Sequence, residues 1–366
     1  MTAARTFAIV RKEFIHIRRD RRTLALIFLL PFIQMVLMGY AATTDIKNIG
    51  TVVLDGDRSA ESRNLIRAYQ ATGYFDINYH VDSEAEMTAL LDRGAVRAAL
   101  VIPAAYGQHL LAGETVDVGF IIDGSDPTVA NSIRAAALQT GQAQRRALAA
   151  GGGGLEVRPS IWYNPGLESV NFMIPALMGM IMQFLATMLT SIAIVREREL
   201  GTIEQLSVTP IRPVELVVGK TLPYVIVSFL GLVEVLLIGV FWFRVPINGS
   251  VSLLLALSSL FLLGSLGIGI LISSLASTQQ EAMLVSFLIM LPSIFLSGFF
   301  FPLEAMPWAL RMLSYLIPLR YMLTIIRGIV LKGVGMAALQ SEVVILATFS
   351  VFILILASIR FRSNIA

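Results

Sequence analysis

The chain has 366 residues, of which 56% are apolar and only 14% are charged, and its mean hydropathy is +0.75. A soluble domain carries about a quarter of charged residues, so this composition excludes an ordinary soluble protein and favours a membrane protein. The absence of cysteine excludes disulfides, thiolate catalysis and cysteine metal sites. The formal net charge is only +3, and we expect no nucleic-acid partner.

The chain begins with a basic amphipathic segment. Apolar residues from Phe7 to Ile17 share one helical stripe, and the basic residues lie largely elsewhere around the helix. A helix of this kind lies in the plane of the membrane interface. Residues 1–22 are therefore predicted to form a cytoplasmic amphipathic helix. It is either a simple positive anchor or an elbow that also contacts a cytoplasmic partner. Its basic residues include Arg11, Lys12, Arg18 and Arg19.

Six apolar runs approach the roughly 20 residues that a membrane-spanning helix needs. They lie near 23–43, 170–194, 221–243, 251–275, 283–301 and 339–359. No small-residue cleavage site follows the first run, so we expect it to be an uncleaved transmembrane helix. The predicted fold is a polytopic α-helical membrane protein with six transmembrane helices. Residues 44–168 form an inserted extracytoplasmic α/β domain, and residues 169–366 form a five-helix transmembrane region.

The inserted domain alternates strand-like and helix-like runs. The strands are predicted at 49–55, 75–81, 98–102, 116–123 and 155–163, and the helices at 58–72, 83–93, 104–112 and 128–150. This alternation favours a small α/β layer with at least some parallel pairing. The glycine run 151–154 is interpreted as a turn. Residues 123–127 are interpreted as a turn before a helix, with Ser125 or Asp126 as the cap.

Basic residues near the helix ends set the predicted orientation. The N-terminal segment, the hairpin 195–220 and the C-terminal tail are basic, so the positive-inside rule places them, and both termini, in the cytoplasm. Residues 302–338 are predicted to be surface-lying or re-entrant helices on the outer side rather than a simple loop. Four basic residues there depart from the rule: Arg311, Arg320, Arg327 and Lys332.

Several polar and small residues lie within the predicted spans. Glu234 lies well inside the third span, where a carboxylate is costly and is a functional candidate by default. It is either a protonated or hydrogen-bonded glutamate facing a neighbouring helix, or a group that handles substrate or protons. Gln34 and Gln183 are candidates on the same ground. Close helix packing, within the subunit or between two subunits, is predicted for small residues spaced four apart: Ser265, Gly269 and Ser273.

No catalytic, cofactor-binding or metal-binding residues are predicted. Residues 219–221 resemble the end of a phosphate-binding P-loop, but Val214 stands where that motif needs glycine, and no strand precedes it. The energy source is therefore another chain or an ion gradient. The histidines His16, His80 and His109 fall on opposite sides of the predicted membrane, so they indicate neither a metal site nor a triad.

The polar hairpin between the second and third spans closely resembles the first cytoplasmic loop of ABC-2 type exporter permeases. Arg11-Lys12-Glu13-Phe14 with Arg18-Arg19 resembles that family's N-terminal amphipathic helix, and residues 296–321 resemble its outer re-entrant region. The large domain after the first span is similar to that of the drug-export branch. The resemblance assigns coupling to an ATPase to Arg196, Glu197, Arg198, Glu199, Gly201, Thr202, Glu204 and Gln205.

This resemblance implies the partners. A separate cytoplasmic ATPase subunit would bind ATP and Mg²⁺, while this chain binds no cofactor, and a second permease, identical or homologous, would complete the transporter. The outer domain would either meet a periplasmic adaptor protein or only cap the exit path. The implied function is export of drugs or other amphipathic molecules across the bacterial inner membrane by alternating access. The alternative is an ion-gradient transporter using Glu234, a class that predicts internal repeats and several intramembrane ionisable residues.

Overall fold

The computed structural model describes residues 46–149, 153–201 and 213–365, and its first part is an α/β unit. The predicted strands and helices of this unit are confirmed, with small changes at their ends. The elements are β1 (Ile49–Asp55), α1 (Ala60–Ala71), β2 (Phe75–Val81), α2 (Glu84–Asp92), β3 (Ala98–Ile102), α3 (Tyr106–Leu111), β4 (Thr115–Asp123), α4 (Pro127–Ala149) and β5 (Gly154–Trp162).

The five strands form one sheet in the order β2-β1-β3-β4-β5. Strand β1 pairs in parallel with β2 and β3, β4 pairs antiparallel with β3, and β5 pairs in parallel with β4. The expectation of some parallel pairing is confirmed. Because the direction reverses once, between β3 and β4, the starts of β1 and β3 lie at the same sheet edge as the ends of β4 and β5. The chain therefore enters and leaves the unit at one edge.

Helices cover both faces of the sheet. Successive side chains of a strand point to opposite faces, and accordingly Val53 packs with α1, α3 and α4 while Val52 packs with α2. On the first face, Tyr69, Phe75 and Phe120 form an aromatic cluster with ring centroids 5.2–5.5 Å apart. Burial of these apolar side chains is the main stabilising contribution to the unit.

Helices dominate the rest of the chain. They are α5 (Ser169–Glu199), α6 (Pro213–Phe241), α7 (Val251–Leu275), α8 (Gln279–Leu296), α9 (Trp308–Ser314), α10 (Pro318–Arg327) and α11 (Gln340–Ile365). Within the described ranges, α5, α7, α8 and residues 340–360 of α11 are long and apolar enough to cross a membrane, and α6 contains the shorter apolar stretch Val225–Phe241. The predicted fifth span extends to residue 301, but α8 ends at Leu296 because Gly298 adopts a left-handed φ of 82°.

Residues 308–332 form a bent pair of helices. The first, Trp308–Ser314, and the second, Pro318–Lys332, are long and apolar enough to cross a membrane only when taken together, and they meet at an angle of 83°. This is the geometry of a broken span or a re-entrant loop. The end of the second helix, Gly328–Lys332, is a π-helical turn. We call residues 308–332 the bent pair.

Helix α7 packs closely against α5 on one side and α11 on the other. A Cβ atom on Gly269 would lie 2.7 Å from the Thr187 carbonyl oxygen of α5, and one on Gly267 would lie 2.4 Å from Ile353 Cγ2 of α11. The Thr187 hydroxyl donates a 3.2 Å hydrogen bond to the Ser265 carbonyl oxygen. Glycine at these positions lets the helix backbones approach closely.

Candidate functional site

Two charged clusters lie near opposite ends of α5. The first joins the α/β unit to the bent pair and is formed by Arg97, Asp123, Glu304 and Lys332; we call it the charged junction. Arg97 directly precedes β3 and Asp123 is the last residue of β4, so the single reversal in the sheet brings both to the edge where the chain enters and leaves.

Three ion pairs hold the charged junction together. Arg97 Nη1 lies 3.1 Å from Asp123 Oδ2, Arg97 Nε lies 2.8 Å from Glu304 Oε1, and Lys332 Nζ lies 2.7 Å from Asp123 Oδ2. The Asp123 side chain is 0% exposed and that of Lys332 is 6% exposed. Lys332 Nζ also donates a 2.7 Å hydrogen bond to the Leu91 carbonyl oxygen. The junction thus joins two cations and two carboxylates, of which Glu304 has one buried oxygen, Oε2, without a hydrogen-bond partner among the described residues.

The carboxylates of the junction stay ionised despite their burial. Burial by itself raises the pKa of Asp123. The charges of Lys332 and Arg97 outweigh this effect and lower the pKa to about 2. Burial likewise raises the pKa of Glu304, and Arg97 outweighs it, so that the pKa lies below its usual value. In turn Glu304, more than any other group, raises the pKa of Arg97. All three groups are therefore charged at neutral pH.

The turn after β4 orients the carboxylate of Asp123. The Ser125 N–H donates to Asp123 Oδ1 at 3.0 Å, which leaves Oδ2 for the two cations. Asp126 Oδ1 accepts from the N–H groups of Thr128 and Val129 at 2.9 and 3.2 Å. The prediction of a turn followed by a helix with an Asp126 cap is confirmed, but the ion pairs of Asp123 were not predicted.

A cavity of about 310 Å³ lies beside the charged junction. Its wall comes from the α/β unit, the connection between α8 and α9, the bent pair, and the first turns of α5 and α11. The four basic residues that depart from the positive-inside rule all line it: Arg311, Arg320, Arg327 and Lys332. Their side chains face a polar cavity rather than lipid, which explains why they are tolerated beside apolar helices.

The second cluster is at the other end of α5, where the predicted coupling hairpin begins. Arg198 Nη1 donates to the carbonyl oxygens of Ser273 and Ala276, at 3.0 and 3.2 Å, at the end of α7. Glu199 Oε2 accepts from Gln279 N and Nε2, at 3.3 and 2.8 Å, at the start of α8. The end of α5 is thus tied to the turn between α7 and α8; we call this set of contacts the hairpin base.

The remaining candidates are placed apart from these clusters. Arg196 and Glu197 lie in the last turn of α5, and Gly201 follows with a left-handed φ of 69°. Gln183 is buried, and its Oε1 has no hydrogen-bond partner among the described residues. Glu234 lies on the exposed side of α6, where no described residue hydrogen-bonds to it. Outside the described residues lie Arg11, Lys12, Glu13, Arg18, Arg19, Gln34, Thr202, Glu204 and Gln205.

Comparison with known proteins gives the family. A family model described as ABC-2 family transporter protein matches residues 21–359. The chain belongs to the ABC-2 transporter family. It is 32% identical to the probable multidrug ABC transporter permease YbhS of Escherichia coli K12, over 90% of this chain and 89% of that protein. It is 30% identical to the corresponding permease YbhR, over 91% of both chains. The inner membrane transport permease YhhJ of E. coli K12 is 27% identical over 97% of this chain.

The predicted family is confirmed, and this ABC-2 chain is the membrane subunit of an ABC transporter. Membership in the family implies an ATPase partner. The roles assigned to individual residues of the hairpin and of the N-terminal amphipathic helix stay predictions. Among the described residues, no group of three or more histidine, aspartate or glutamate side chains is arranged to hold a metal ion.

Proposed function

We propose that the chain is the permease subunit of an ATP-driven exporter that moves drugs or other amphipathic molecules out of the cytoplasm or inner leaflet. The printed names of YbhS and YbhR as multidrug permeases support this cargo class. The transporter lies in the bacterial inner membrane, with six transmembrane helices, both termini in the cytoplasm and residues 44–168 outside. ATP and Mg²⁺ bind to the separate ATPase, and two permeases together enclose the path.

The hairpin base is the observation that carries this proposal. The ATPase holds the charged hairpin that begins at Arg196, where charged side chains set orientation and register more than affinity. Arg198 and Glu199 pass any displacement of the hairpin to the turn between α7 and α8. Three helices therefore move together when the ATPase closes on ATP. Alternating access requires rigid-body movements of this kind.

The charged junction extends this movement to the α/β unit. Because Asp123 is ion-paired to Lys332 at the end of the bent pair, a displacement of the bent pair displaces the sheet edge as well. The α/β unit then responds to the state of the helices, either by presenting a surface to a periplasmic adaptor or by uncovering the exit path.

The test is drug export by the chain co-expressed with its ATPase partner. Arg198→Gln and Glu204→Arg should each abolish ATP-dependent drug export, while the membrane level of the protein stays unchanged. Arg158→Gln is the control, because Arg158 is exposed on the α/β unit and, among the described residues, forms ion pairs with Asp117 and Glu156 alone. Export that survives without the ATPase and follows a proton or sodium gradient would refute the proposal and direct attention to Glu234.

A further inference from the structure

Among the described residues, the wall of the cavity beside the charged junction has more basic side chains than carboxylates. Four carboxylates line it: Asp92, Asp126, Glu304 and Glu342. Arg97 and Lys332 are balanced by Glu304 and Asp123. In the described part of the chain, no carboxylate forms an ion pair with the other four basic residues. The basic residues of the wall are Arg93, Arg97, Arg311, Arg320, Arg327 and Lys332.

Arg327 is the clearest case of a cation that forms no ion pair with any described residue. Its Nη1 donates to the Gly298 carbonyl oxygen at 3.0 Å, and its guanidinium lies 3.7 Å from the centre of the Phe172 ring. Its Nε and Nη2 atoms are buried and have no acceptor among the described residues. A buried cation without a partner is costly, and an unsatisfied buried donor in a folded protein points to a missing ligand, water or ion.

The carboxylates near Arg327 do not supply this partner. Asp126 is close enough for its charge to interact with Arg327, but its Oδ1 accepts the N–H groups that cap α4. Burial, the largest influence, raises the pKa of Asp126, while the nearby charges of Arg327 and Arg97 act to lower it. Asp92 accepts the hydrogen bond of the Tyr163 hydroxyl at 2.8 Å. Counted over the described residues, the wall thus has an excess of positive charge even when every carboxylate is ionised.

An apolar surface adjoins the cationic wall. Arg311 and Tyr315 line the cavity, whereas Trp308 and Met312 of the same helix α9 are 80% and 62% exposed. Tryptophan is enriched where a membrane meets water. The cavity volume of about 310 Å³ is at the lower end of the range for small-molecule sites, about 300–1,000 Å³. The space accommodates a charged head group, and the exposed face of α9 accommodates an apolar tail.

We propose that this cavity binds the anionic head group of an amphipathic molecule, a carboxylate, sulfonate or phosphate, whose apolar part lies along α9. Arginine suits this role because its planar guanidinium binds such oxyanions with two parallel hydrogen bonds. Arg311 and Arg320 contact the head group from the bent pair, and Arg327 gains a counter-charge behind them. That the bound molecule is cargo rests on the proposed export function, whereas the binding itself does not.

Equilibrium competition tests the proposal on the full chain with its ATPase, in phosphatidylcholine nanodiscs without nucleotide. The probe is a short-chain phosphatidic acid with a fluorescent acyl group, read by anisotropy. The competitors are unlabelled phosphatidic acid, phosphatidylcholine with the same chains, and inorganic phosphate. Phosphatidic acid should compete at least tenfold better than either of the others. Equal competition by phosphatidylcholine would overturn the anionic site, and equal competition by inorganic phosphate would overturn the amphipathic ligand.

Variants locate the site. Arg311→Gln and Arg327→Gln should each weaken phosphatidic acid binding at least tenfold, whereas Arg158→Gln on the α/β unit should leave it unchanged. Arg311 is exposed, so its substitution does not threaten folding, and unchanged binding by that variant would overturn the proposal. A wild-type chain that binds phosphatidic acid but exports nothing with its ATPase would contradict the export function and leave the site intact.

Discussion

Asp123→Asn is the sharpest perturbation of the charged junction. Asparagine keeps the Oδ1 acceptor for the Ser125 N–H but removes the charge that neutralises Lys332 and part of that on Arg97. Breaking a buried ion pair by removing one partner costs about 3–5 kcal/mol. The pKa gives a second route to the magnitude. A fall from 3.8 to about 2 corresponds to an energy on the order of 2–3 kcal/mol, at about 1.4 kcal/mol per pKa unit.

We therefore expect Asp123→Asn to lower the free energy of unfolding of the α/β unit by about 3 kcal/mol. The pKa of Asp123 is lowered by folding, so its contribution is complete above about pH 4 and is lost as the pH falls toward 2. Hydrogen exchange of the β3 and β4 amides at neutral pH measures the loss of unfolding free energy. At about 1.4 kcal/mol per tenfold change, this loss makes opening of the unit roughly a hundredfold more frequent. Urea unfolding between about pH 4 and pH 2 measures the pH dependence, which the variant should lack.

The double variant Asp123→Asn with Lys332→Met provides the control. Removing both members of the pair leaves no unpaired lysine, so the double variant should be less destabilised than the sum of the two single variants, by roughly 0.5–3 kcal/mol. Exchange of the β3 and β4 amides that changes less than threefold in Asp123→Asn, or additive losses in the cycle, would refute the idea that the ion pairs stabilise the contact.

Three further predictions concern packing and energy coupling. Gly269→Val should destabilise the helices by about 1–3 kcal/mol in thermal unfolding, because its Cβ would press on the Thr187 carbonyl oxygen of α5; an unchanged melting temperature would contradict this. Gly124→Ala should destabilise the α/β unit by a similar ~1–3 kcal/mol in urea, because the new Cβ would lie 2.7 Å from the Trp162 carbonyl oxygen. Glu234→Gln should leave drug export and its pH dependence unchanged, since ATP supplies the energy; a shifted pH profile would favour ion coupling.

The sequence predicts the local elements of this chain well and its long-range contacts poorly. The strands are short runs rich in β-branched and aromatic residues and the helices are bounded by caps and turns, so their positions follow from neighbouring residues. The ion pairs do not, because Arg97 and Glu304 are 207 residues apart and Asp123 and Lys332 are 209 apart. One signal was present: basic residues such as Arg327 and Lys332 that contradict the positive-inside rule require a polar environment. The partner of each could be known only from the fold.

The hairpin base was open to prediction only in part. The charges at Arg198 and Glu199 mark a segment outside the apolar core of the membrane. Their attachment to the ends of α7 and α8 depends on where those helices end, however, and helix ends are uncertain from sequence by several residues. For Gly269, the four-residue spacing of small residues is visible in the sequence and predicts close helix packing. The helix that it packs against, α5, could not be predicted from neighbouring residues.

The single reversal of the sheet has a mechanical consequence. The two chain connections, at the start of β1 and the end of β5, and the ion-paired residues Arg97 and Asp123 between them all lie along one edge. Attachments along one line form a hinge axis. They oppose sliding and twisting of the α/β unit but allow it to rotate about this edge. Because Arg97 and Asp126 belong to one wall of the cavity, that rotation widens or narrows its mouth. Rotation of the α/β unit about this edge is therefore the motion that would admit or release a bound molecule.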